Sequence, residues 1–100
     1  MIIGSGFAGL SAAAFMAKAG WDVTVLEKQS MPGGRARQLK AEGFTFDMGP
    51  SWYWMPDVFE RYFGQFGRQV SDYYSLQRLN PSYRIYWNDG FTDMPADFEE

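Results

Sequence analysis

The stretch MIIGSGFAGLSAAAFMAKAGWDVTVLE, residues 1–27, decides the fold. Its first three residues are apolar, and β-branched at Ile2 and Ile3, which predicts a strand. Residues 7–19 (FAGLSAAAFMAKA) are alanine-rich, carry Lys18 in the last turn and stop at Gly20, a helix pattern with its end signal. Residues 21–27 (WDVTVLE) alternate, with Val23 and Val25 on one face and Thr24 and Leu26 on the other, so a second strand is expected. Strand, helix and strand this close together make a βαβ unit, which implies a parallel pair and a right-handed crossover.

The loop between the first strand and the helix reads GSGFAG, residues 4–9, a G-x-G-x-x-G in the context the dinucleotide fold requires. Gly4 permits the tight turn, Gly6 leaves the backbone bare for a pyrophosphate, and Gly9 lets helix and strand approach closely. The helix N-terminus offers free N–H groups and a partial positive charge. Ser5, Phe7 and Ala8 complete the loop and are expected to line the same phosphate. The second strand ends in Glu27, 18 residues after Gly9, followed by Lys28. An acid there accepts hydrogen bonds from an adenosine ribose 2′-hydroxyl and repels a 2′-phosphate, which favours FAD or NAD over NADP.

The βαβ unit by itself does not separate FAD from NAD. The next segment, Pro32-Gly33-Gly34-Arg35, brings two glycines close to something bulky and adds a planar donor suited to phosphate. The dinucleotide-binding unit is therefore drawn over residues 1–35. An NAD-binding module would continue into further βαβ units. This chain instead turns at Glu42-Gly43 between short strands near 38–41 and 44–46. Pro56-Asp57 then opens a helix with Val58, Phe59, Tyr62, Phe63 and Phe66 at helical spacing and Gly67 as its stop. Residues 83–87 (YRIYW) read as a strand, Asn88-Asp89-Gly90 as a hairpin turn, and residues 91–93 as a return strand. The expected fold class is α/β: a Rossmann-like βαβ FAD-binding unit, then short antiparallel strands and a helix, in an incomplete domain.

Composition bounds the remaining possibilities. One hundred residues are enough for one small unit, and a net charge of −3 without a basic stripe argues against nucleic acid. There is no cysteine and no histidine, which removes disulfides, thiol catalysis and histidine bases from this segment. Aromatic residues reach 19%, more than so small a core needs, so some rings are expected to face a ligand or further protein. The three-residue first strand, against about five in a typical one, and the helix-like opening at Pro95-Ala96-Asp97 both suggest a piece of a longer protein.

GSGFAG, Glu27, PGGRAR (32–37) and GFTFDMGPSW (43–52) together resemble the N-terminus of the glutathione-reductase-like flavoproteins of the amine oxidase and carotenoid desaturase superfamily. Phytoene desaturases are the most similar branch, and WYWMPD (52–57) and SYRIYWNDG (82–90) also look like them. Amine oxidases usually carry an arginine where this chain has Met31, a departure that disfavours that branch. The resemblance implies FAD as cofactor, a long polyene as substrate, desaturation by hydride transfer to the flavin, and a cytoplasmic protein peripheral at the membrane surface. Carotenoid isomerases, ketolases, amine oxidases and non-enzymatic prenyl-lipid carriers of the same fold stay open as alternatives. Residues 1–100 alone are expected to be inactive, since about 100 residues cannot both build a core and enclose a polyene.

Within that resemblance Arg35 is the candidate clamp for pyrophosphate or flavin, while Arg37 reads as a solvated charge. Gly49, Pro50 and Ser51 either line the flavin or form an ordinary turn. Asp47 reads as a turn former rather than a proton acceptor. Trp52, Tyr53, Trp54 and Met55 either wall a polyene tunnel, face a membrane, or pack against further protein. The helix face 57–66 reads as plain core.

Overall fold

The computed structural model describes residues 1–50 and 52–97. The chain divides into two units, Met1–Phe59 and Glu60–Glu100.

The first unit opens with β1 (Ile2–Ile3), α1 (Phe7–Lys18) and β2 (Val25–Leu26). β1 and β2 are parallel, with Ile2 opposite Val25 and Ile3 opposite Leu26. The Ile2 N–H donates to the Thr24 carbonyl at 2.8 Å and the Gly4 N–H to the Leu26 carbonyl at 2.7 Å. The second strand is shorter than the expected 21–27, because β1 offers only two residues to pair with. Its alternation survives: Val23 and Val25 are half-buried, Thr24 and Leu26 exposed. α1 ends as the sequence predicts. Gly20 sits just past the helix at φ +88°, its N–H bonds the Ala17 carbonyl, and the Trp21 N–H reaches back to Met16. This is the Schellman arrangement, which satisfies carbonyls that a helix end otherwise leaves unpaired.

Next come β3 (Gln38–Ala41) and β4 (Phe44–Asp47), antiparallel, with Ala41 opposite Phe44. The two-residue connection Glu42-Gly43 has φ of +51° and +83°, the type I′ geometry that matches strand twist. Glutamate is poorly suited to a left-handed position, whereas asparagine tolerates it. Glu42→Asn is therefore expected to stabilise the protein by about 0.5–1 kcal/mol, measured as a higher denaturant midpoint. An unchanged or lower midpoint would show that the turn is not the strained element. Asp47 is the last residue of β4 rather than a turn former, and accepts a hydrogen bond from the Gln38 side-chain amide directly opposite at 3.2 Å.

α2 (Pro56–Gly64) begins at the expected Pro56-Asp57 but stops two residues before Phe66. Residues 65–67 continue as a tightened turn whose N–H groups bond three residues back. In the second unit Phe63 stacks on Tyr73 with centroids 4.8 Å apart, and Tyr62 meets Phe66 edge-on at 5.2 Å. Val70, 3% exposed, is the one apolar residue among those described that is buried. β5 (Tyr83–Trp87) and β6 (Gly90–Met94) form the second hairpin, with Trp87 opposite Gly90. Unlike the first hairpin, its Asn88-Asp89 connection contains no positive φ. The Arg84 guanidinium donates to both oxygens of Asp93 on the facing strand and lies 3.9 Å over the Phe91 ring.

Candidate dinucleotide site

The site is assembled entirely within the first unit, around the Gly4–Gly9 loop. β1 carries the chain up to Gly4, and Gly6 is the N-terminal cap residue of α1, with no side chain satisfying the helix N–H groups. Those groups are what a phosphate needs. A Cβ built on Gly9 would overlap the carbonyl oxygen of Gly4 and lie 3.6 Å from Ile2 Cγ2, so this glycine is required by the packing of helix on strand. Gly6 differs. A Cβ there would meet only the Gly34 Cα, at an ordinary 3.9 Å, and φ is −75°, which any residue adopts. Nothing in the protein's own packing requires glycine at position 6. The bare backbone there leaves space in the cleft that the residue lines.

The Pro32–Arg35 segment docks directly on this loop. The Gly33 N–H donates to the Ser5 carbonyl at 2.9 Å, and a Cβ on Gly34 would stand 3.1 Å from the Gly6 Cα. The bulky group that the paired glycines approach is thus, in the first place, the phosphate loop itself. Residues 34–36 form a short 3-10 turn. Arg37, expected as a solvated charge, is half-buried and donates from Nη1 to the Gly34 carbonyl at 2.9 Å, which holds that turn. The Arg37 carbonyl in turn accepts from the Met48 N–H at 2.9 Å, which brings Gly49 and Pro50 alongside.

A cleft of about 780 Å³ lies between these segments, inside the range of about 300–1,000 Å³ usual for ligand sites. Of the residues singled out from the sequence, Gly4, Gly6, Phe7, Ala8, Gly9, Gly33, Gly34, Arg35 and Pro50 line it. Gly49, read from the sequence with Pro50 and Ser51 as either flavin-lining or an ordinary turn, lines it as well, and so do Ile3 and Ala36, which were not chosen from the sequence. Lys28 is exposed and does not line the cleft. Ser51 lies outside the described residues.

Ser5 and Glu27 form a pair beside this lining. The Ser5 backbone N–H and its hydroxyl both donate to Glu27 Oε2, each at 2.7 Å, and the Gln29 N–H donates to Oε1 at 2.9 Å. These bonds, the Ser5 hydroxyl first, hold the Glu27 carboxyl down at about 2. The group is ionised throughout the physiological range, as a ribose-binding acid must be to act as acceptor only. Sequence reasoning placed Ser5 in the loop without seeing this pairing. The only signal for it was a hydroxyl inside the glycine motif and an acid at the end of the adjacent strand.

Trp52–Met55 are all exposed, Trp54 at 69%, and Met55 sits at φ +52°. The Tyr53 ring lies 4.8 Å from Phe59, and Phe59 meets Phe7 edge-on at 6.0 Å. This segment therefore packs in part against its own unit rather than standing wholly free. Among the described residues no group of acidic side chains could hold a metal ion, and no helix is long and apolar enough to cross a membrane.

Residues 2–66 match the family described as NAD(P)-binding Rossmann-like domain. The chain is 60% identical over 100 residues to the carotenoid 3,4-desaturase of Haloarcula japonica, covering 99% of this chain and 20% of that protein. It is 46% identical over 89 residues to the zeta-carotene-forming phytoene desaturase of Myxococcus xanthus, covering 89% and 17%. A 4,4'-diapophytoene desaturase (4,4'-diaponeurosporene-forming) of Staphylococcus aureus is 44% identical over 100 residues, covering 99% and 20%. The chain thus spans about a fifth of the length of these curated relatives. A glycine-lined cleft at a helix start, an ionised acid on the neighbouring strand and the family match all suggest a dinucleotide as the cofactor class. The chain belongs to the NAD(P)-binding Rossmann-like domain family.

Proposed function

We propose that this chain is the nucleotide-binding, N-terminal part of an FAD-dependent carotenoid desaturase, a phytoene desaturase in type. The observation that carries the choice of FAD is the docking of Gly33 and Gly34 onto the GSGFAG loop, which puts Arg35 in the lining of the same cleft as Gly6. An NAD module has no need of such a segment, and the chain runs from it into antiparallel hairpins rather than a further βαβ unit. The carotenoid substrate is supported by the names of the relatives.

In this reading the Gly4–Gly9 loop and the first turn of α1 hold the pyrophosphate, Glu27 holds the adenosine ribose, and Arg35 adds positive charge at the phosphates. FAD, when bound, would supply the two-electron redox chemistry that desaturation of a polyene needs. The residues of this chain bind and orient the cofactor. Contact with a membrane surface belongs to the same proposal, because the polyene substrate dissolves in lipid.

The test uses the full-length protein. It is expected to purify yellow, release intact FAD on denaturation, and convert phytoene in liposomes to a more conjugated product. Glu27→Ala is expected to weaken FAD about tenfold or more, since the acceptor is charged, whereas Glu42→Ala in the exposed turn leaves affinity unchanged. A colourless protein that takes up no FAD, or equal affinities for the two variants, would overturn the cofactor assignment. Oxidation of small amines without action on phytoene would move it to the amine oxidase branch.

A further inference from the structure

We propose that Ser5 is a positioning residue for ribose recognition: it holds Glu27 through two bonds to Oε2 and so leaves Oε1 as the acceptor for a ribose 2′-hydroxyl. This rests on the dinucleotide reading above and deepens it. Ser5 is only 4% exposed, the one buried polar residue among those described. A buried hydroxyl needs a partner, and the one it has is the carboxylate across the parallel strand pair. A carboxylate oxygen accepts about two hydrogen bonds. Oε2 receives the Ser5 N–H and the Ser5 hydroxyl, so its capacity is filled. Oε1 receives the Gln29 N–H, and the Lys28 backbone N–H is a weaker further donor to the carboxylate, so Oε1 is the less heavily committed oxygen.

Which oxygen is the less committed one is therefore set by Ser5, whose two donors both go to Oε2. A 2′-hydroxyl adds a donor at Oε1, whereas a 2′-phosphate brings further negative charge to a carboxylate already ionised. The serine also ties the glycine loop to the end of β2. The Gly33 N–H bond to the Ser5 carbonyl extends that tie to the third segment.

The experiment compares ADP with 2′-deoxy-ADP as calorimetric ligands of the full-length protein freed of cofactor. Ser5→Ala is expected to weaken ADP about tenfold and 2′-deoxy-ADP by less than about twofold, because only ADP uses the acceptor that Ser5 orients. Ser5→Thr, which keeps the hydroxyl, is expected to recover ADP binding to within about threefold of the unaltered protein. Ser5→Cys preserves volume but donates weakly, and gives the same comparison if the alanine variant does not fold. Equal losses for both nucleotides would show a merely structural serine and overturn the proposal. So would an unaltered protein that does not distinguish ADP from 2′-deoxy-ADP, although the dinucleotide site would then stand. Failure of the unaltered protein to bind ADP or FAD at all would instead remove the site reading on which the proposal rests.

Discussion

Gly9→Ala is expected to destabilise the protein by about 3 kcal/mol or more and to abolish cofactor binding. The added methyl group would overlap the Gly4 carbonyl oxygen and come within 3.1 Å of its carbonyl carbon. Both atoms belong to the backbone of the turn out of β1, so no side-chain rotation relieves the clash. The helix must lift from the strand, and the loop that offers N–H groups to phosphate is distorted as it does. Gly6→Ala is the informative contrast. Its Cβ meets ordinary contact at 3.9 Å and its φ suits alanine. Its stability should stay within about 1 kcal/mol, the cost of a poorer helix cap, while nucleotide affinity falls at least a hundredfold through intrusion into the cleft. Denaturant midpoints and FAD affinity of the full-length variants check both. A Gly9→Ala protein as stable as the original would show that α1 and β1 are not held as close as described.

Gly49→Ala is expected to cost about 3 kcal/mol and to displace Arg35 from the cleft. Two effects add. Gly49 has φ of +101°, where an L-residue with a Cβ is strained by about 1–2 kcal/mol. Its Cβ would also overlap the Arg35 carbonyl oxygen and sit 3.3 Å from the carbonyl carbon, a further cost of about 1–3 kcal/mol. Since the clash is with the backbone of Arg35 itself, the variant should weaken FAD more than an equally destabilising change elsewhere. A matched comparison with Val70→Ala, the buried apolar position of the second unit, separates the two contributions. If the two variants lose stability and FAD affinity in the same proportion, the contact between Gly49 and Arg35 has no specific role in the site.

Local chemistry made much of this protein legible from its residues. The βαβ unit, the stop at Gly20, the turn at Glu42-Gly43 and the start of α2 at Pro56 are all written in short-range signals: glycine where φ is positive, proline at a helix start, and apolar period. Five of the cleft-lining residues, Gly4, Gly6, Phe7, Ala8 and Gly9, could be named for the same reason, because a phosphate loop is one contiguous segment whose glycine spacing is itself the geometry. Element ends were less legible. β2 shrinks to two residues since a strand exists only where its partner does, and α2 gives way to a tightened turn before Phe66.

The amino-acid order by itself determined that this chain builds a dinucleotide-binding turn, with Glu27 at the end of the strand that follows it. Only the tertiary structure decided what meets what across distance. It placed Gly34 against Gly6, Gly49 against the Arg35 carbonyl, the Arg37 guanidinium on the Gly34 carbonyl and the Ser5 hydroxyl on Glu27. The Arg37 bond is local, reaching three residues back, while the others join different segments, and none has a periodic signature. A glycine required by a neighbouring carbonyl looks, in sequence, the same as one required by a turn or by a ligand. Only the position of the neighbouring backbone tells them apart, because steric exclusion acts between atoms in space and not between positions along a chain.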